Sequence, residues 1–142
     1  MSAVGIAQLV VTAALAVAFL IMGALHFVPA VARGMGAMIP QRMRGPFSAR
    51  FLVRFTGVCE VLGGIGLLVG FVDRLLLGDV VPWLLITTVV ALIVFLIAVF
   101  PANAYAARHP ERFGKAATPL VPRAIGQVVL IGALVFVAFP LG

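Results

Sequence analysis

The sequence predicts an all-α fold, a bundle of four helices embedded in a membrane. Three observations carry this. Hydrophobic residues make up 64% of the 142 residues, charged residues only 10%, and the mean hydropathy is +1.27. Soluble domains are about 45–50% apolar and about 25% charged. A domain this small exposes too much of itself to hide the excess. The apolar residues also gather into four runs, each near the ~20 residues that cross a hydrocarbon core. Between the runs lie segments that hold most of the charge. An ordinary soluble domain, a disordered chain and a secreted disulfide scaffold are excluded.

The spans fall at about residues 6–27, 51–72, 81–100 and 124–141, and residues 1–142 form a single transmembrane domain. The first run is a retained helix rather than a cleaved signal peptide. Residues 1–5 (MSAVG) carry no basic side chain, and the run exceeds a signal peptide's apolar core. Span three is followed by Pro101 and Asn103, which read as its terminators, since proline cannot donate and asparagine caps readily.

The connections set the orientation. Residues 28–50 hold Arg33, Arg42, Arg44 and Arg50 with no acid. Residues 101–123 hold Arg108, Arg112, Lys115 and Arg123 against Glu111 alone. The short connection, residues 73–80, holds Asp73, Arg74 and Asp79. In a four-span chain the two basic connections share one side. The positive-inside bias places that side in the cytoplasm and both termini outside. Trp83 and Tyr105 then sit at opposite interfaces, as aromatic belts favour. Pro29, Pro40 and Pro46 break the first connection. Ala30 to Ile39 is expected as a short interfacial helix, with Met35, Met38 and Ile39 in lipid and Arg33 among headgroups. Arg42 and Arg44 read as headgroup contacts. The formal net charge of +6 is thus explained by topology and anionic lipid, not by nucleic acid.

Within the spans, Glu60 is the exception. It lies about nine residues into span two, roughly 14 Å along the helix. Ionisable groups at membrane depth are costly and call for partners. Gly57, Gly63 and Gly64 share its face, so that face is expected to meet another helix. Gly66 and Gly70 form a second small-residue pair for helix packing. The candidate partners are His26, Arg50, Arg54, Asn103, Arg123 and Gln127, all in the same half of the membrane. Glu60 with these six outlines a ligand pocket in the inner half, and Glu60 is the one candidate catalytic group. Three readings stay open. The network fixes helix register, it forms a small-molecule or quinone-type pocket, or it couples protons. Cys59 is alone, so an internal disulfide, a CxxC pair and a cysteine zinc site are excluded, and no metal site is expected. His26 and His109 are the only histidines, and no haem-attachment motif is present.

Further residues carry a resemblance. Span one ends in ALHF, Ala24 to Phe27, and the broken connection contains Met38, Ile39 and Pro40. Span two contains FTGVCEVLGGIGLL, with Thr56, Gly57, Glu60, Gly63 and Leu67, and span three ends in FPAN, Phe100 to Asn103. Over about residues 20–105 the chain resembles the DoxX/DoxX-like family of small four-helix bacterial membrane proteins. The resemblance implies a bacterial plasma-membrane location. It also implies similarity to a small membrane subunit of thiosulfate:quinone oxidoreductase. His26, Glu60 and Asn103 are the motif positions carried over, without assigned roles. The cysteine pairs that some relatives use for thiol chemistry have no counterpart here.

Three functions are therefore expected in order. The first is a non-catalytic subunit or scaffold that binds other membrane subunits or its own copies, with lipid or quinone in the pocket. The second is a quinone-linked oxidoreductase component in which Glu60 exchanges protons. The last is a proton-coupled transporter, for which no inverted repeat or broken helix pair speaks.

Overall fold

The computed structural model describes residues 2–78, 80–114 and 118–139. Among these, all regular structure is helical. Four helices are long: α1 (Ala3–Leu25), α3 (Ala49–Val72), α4 (Pro82–Ala107) and α6 (Leu120–Ala138). Two short ones, α2 (Pro29–Ala37) and α5 (Pro110–Phe113), lie in the two basic connections. All four long helices are long and apolar enough to cross a membrane. The chain is a multi-pass membrane protein.

Local chemistry sets the ends. Ser2 accepts a hydrogen bond from the Gly5 N–H at 3.0 Å, and Ser48 accepts one from the Phe51 N–H at 3.1 Å. Each serine satisfies an orphan donor of a first turn. α1 and α3 therefore start earlier than hydropathy alone suggested. Pro101 and Asn103 do not end span three. α4 runs through Pro101 to Ala107. Proline removes one helical bond, but without water to take up freed backbone groups the helix is the favoured continuation. α6 starts at Leu120, while the expected end at Leu141 lies outside the described residues, as do Asp79 and Lys115.

α1 packs against α3, α3 against α4, α4 against α6, and α6 back against α1, closing a ring. Glycines set the closest approaches. A Cβ at Gly57 would lie 2.5 Å from the His26 Cβ, and one at Gly64 would lie 2.8 Å from the Leu20 Cγ, so both face α1. Gly63, Gly66 and Gly70 instead meet Leu92, Thr88 and Leu85 of α4. The expected grouping of Gly63 with Gly57 and Gly64 is thus corrected. Gly63 is one residue from Gly64, about 100° around the helix, and that step turns it from the α1 groove into the α4 groove. In lipid, close backbone approach is a main source of helix association. Leu15, Phe19, Leu67, Leu92 and Leu134 belong to the central apolar core.

The end of the bundle with the short connection is tied by polar groups. The buried Gln8 donates from Nε2 to the Phe136 and Phe139 carbonyls at 3.0 and 3.3 Å. Arg74 donates to the Phe139 carbonyl at 2.9 Å. Both satisfy carbonyls that the end of α6 leaves without helical partners. The buried Asp73 accepts from the Val81 N–H at 2.8 Å and so holds the start of α4. Gln8→Ala should lower stability by about 1–3 kcal/mol, because buried carbonyls lose their donor. Equilibrium unfolding in mixed detergent measures this; an unchanged midpoint would show that the α6 end is held without Gln8.

Candidate ligand-binding site

The site lies at the opposite, basic end. His26 follows the last turn of α1, where its backbone N–H still bonds the Gly23 carbonyl at 3.2 Å. Its ring crosses to α3. Nδ1 lies 2.7 Å from the Val53 carbonyl oxygen. A carbonyl only accepts, so Nδ1 carries the proton. Thr56 Oγ1 is 3.0 Å from the same nitrogen and donates to α3 carbonyls, leaving its lone pair for the ring.

That tautomer decides the other side of the ring. Nε2 lies 3.2 Å from Glu60 Oε2, with both side chains mostly buried. In a neutral ring protonated at Nδ1, Nε2 is an acceptor, and so is a carboxylate oxygen. Two facing acceptors repel. The pair is stable at this distance when it holds one proton, either as imidazolium and carboxylate or as imidazole and carboxylic acid. Glu60 Oε2 is buried, and no group among the described residues gives it a well-aligned hydrogen bond.

His26 and Glu60 stand on the wall of a cavity of about 530 Å³. Pockets for drug-sized ligands span about 300–1,000 Å³. Met22, Met35, Met38 and Met43 all line it. These are all the methionines among the described residues. Thioether chains are unbranched and polarisable, and they adapt to apolar ligands of irregular shape. Composition counts five methionines in the sequence but cannot show that four from three segments meet. Pro101 and Asn103 of α4 line the same cavity, so the proline lies inside the site rather than at a helix end.

The expected partners of Glu60 divide. His26 reaches it, and Asn103 shares its cavity. Arg123 acts through Asn103, donating from Nη1 to Oδ1 at 2.9 Å. Arg50 and Arg54 do not reach the Glu60 cavity; they line a second one, beside it. Gln127 lines neither. The physical reason is angular. Arg50 and Arg54 lie one turn apart on the α3 face toward α2, whereas Glu60 faces α1 and α4.

In the second basic connection, the Tyr105 and His109 rings pack at 4.5 Å, and His109 Nδ1 meets Glu111 Oε1 at 3.0 Å. Backbone hydrogen bonding, and then the His109 ring, holds the exposed Glu111 carboxyl below the usual carboxylate range. Comparison with protein-family models, curated proteins and solved structures finds no match to this chain.

Proposed function

We propose that this chain is a small, non-catalytic subunit or scaffold of a membrane complex whose larger cavity holds an amphiphilic small molecule, a lipid or a quinone. The observation that carries this is the wall of that cavity, where methionines and α4 side chains end on a single pair, His26 and Glu60. An apolar body fits the methionines, and a polar head fits the His26 and Glu60 side chains on the wall. The DoxX-like motif positions His26, Glu60 and Asn103 all lie on this cavity, which favours that family and a bacterial plasma-membrane location. The two basic connections favour a cytoplasmic basic end, outer termini, and an α2 that rests along the inner surface.

Native extraction in mild detergent tests the proposal, with mass spectrometry of co-purifying proteins and lipids and one absorption spectrum. A larger assembly or homo-oligomer with a retained amphiphile is the expected result. A monomer without stable partner or retained small molecule would overturn it.

A second reading is favoured by the tautomer of His26. One proton shared between Nε2 and Oε2, at the wall of a cavity, is a group able to give or take a proton from a bound quinone. Electrons would come from a partner subunit, and this chain would supply binding and the proton.

A further inference from the structure

The second cavity is unlike the first. It measures about 420 Å³ and adjoins the larger one through His26 and Val53, which line both. Four arginines line it: Arg33 from α2, Arg44 from the connection, and Arg50 and Arg54 from α3. No acidic residue lines it. The Arg44 Nε–H is held by the Ile39 carbonyl at 2.8 Å, so this guanidinium is positioned before any ligand arrives. Arg50 and Arg54 are a like-charge pair one turn apart, an arrangement that disfavours a helix in isolation.

The chain's described acids are engaged elsewhere. Its four are Glu60, Asp73, Asp79 and Glu111. Glu60 meets His26, Asp73 holds the Val81 N–H, and Glu111 meets His109. Asp79 lies outside the described residues. The charge gathered in this cavity is therefore not neutralised from within the described chain. Phe47, Phe51 and Phe55 stack in a row on α3 and the turn before it, with centroids 5.1 and 6.0 Å apart, and all three are exposed.

We infer that Arg33, Arg44, Arg50 and Arg54 form a binding site for a phosphate ester or phosphate anion at the membrane surface. Guanidinium forks match phosphate oxygens in pairs. Convergence from three segments gathers the charge around one half-open cleft at the surface. The site is separate from the amphiphile cavity and stands whatever fills that cavity.

The test uses the full chain in phosphatidylcholine nanodiscs with a minor fraction of phosphatidylglycerol, read by native mass spectrometry. Wild type should retain phosphatidylglycerol over phosphatidylcholine. The double variant Arg50→Gln/Arg54→Gln should retain at least tenfold less. Arg108→Gln/Arg112→Gln removes the same charge from the other basic connection and should change nothing. Arg50→Lys/Arg54→Lys keeps charge without the fork and should fall between; it also stands in if the glutamine pair fails to fold. A parallel arm titrates lipid-free protein in detergent with inorganic phosphate. Binding there that is lost only in the Arg50/Arg54 variant would support the site and name free phosphate as its source. Equal losses in both glutamine doubles, or no preference for phosphatidylglycerol and no phosphate binding, would overturn the inference.

Discussion

Glu60→Gln should leave the bundle folded and stop proton exchange at the cavity. With His26 Nδ1–H committed to the Val53 carbonyl, Nε2 needs a donor on its α3 side. A glutamine amide supplies one without a titratable proton. Stability should change by less than about 1 kcal/mol. If the quinone-linked reading holds, quinone-dependent turnover of the native complex should fall by about 10²–10⁴-fold, the usual worth of a positioned acid or base. Glu60→Leu makes the contrast, because it leaves Nε2 a buried acceptor without a donor at a cost of about 1–3 kcal/mol. Unchanged turnover in Glu60→Gln would remove the proton role. A folded-state loss as large as that of Glu60→Leu would mean that the pair is an ion pair holding the helices together, and Glu60 would then be structural. Infrared spectroscopy distinguishes the two protonation states directly: a protonated carboxyl band that Glu60→Gln removes marks the imidazole–carboxylic acid pair, and a wild type without that band marks the imidazolium–carboxylate pair.

The second large effect is expected at Gly57. An added Cβ there would lie 2.5 Å from the His26 Cβ and 3.0 Å from the Gly23 carbonyl oxygen. Neither is the far end of a flexible side chain. Gly57→Ala must part α1 from α3, and overpacking of this kind costs about 1–3 kcal/mol. It must also move His26 away from Val53 and Glu60, so ligand retention should drop with stability. Gly126→Ala and Gly132→Ala on α6 meet nothing within 4 Å. There the gain in helix propensity, about 0.5–1 kcal/mol, should appear unopposed. Unfolding in mixed detergent separates the cases. Equal midpoints for Gly57→Ala and Gly126→Ala would mean that α1 and α3 do not approach as closely as His26 and Gly57 imply.

Gly23 is the other half of that contact. Its own added Cβ would lie 2.8 Å from the Gly57 carbonyl oxygen. Its one signal in the sequence is a small residue three positions before His26. Thr56 was visible only as part of a motif, and its role in steering the His26 ring needed the crossing of two helices. The methionines were noticed only where α2 was expected to meet lipid. Met22 lies on α1 and Met43 beyond α2, and nothing in their spacing places them on one wall.

The sequence by itself determined that four apolar helices cross a membrane, that the base-rich connections lie together at one end, and that Glu60 is out of place among its neighbours. These are one-dimensional properties. Segment length, hydropathy and charge are set residue by residue, and the bilayer reads them without reference to tertiary contacts. Only the tertiary structure decided which partner Glu60 has, because six polar candidates at similar depth differ in direction, and direction depends on how each helix is rotated in the bundle. That rotation is set by where glycines let backbones meet. It turned His26 toward Glu60, turned Arg50 and Arg54 away into a cavity of their own, and left Gln127 outside both.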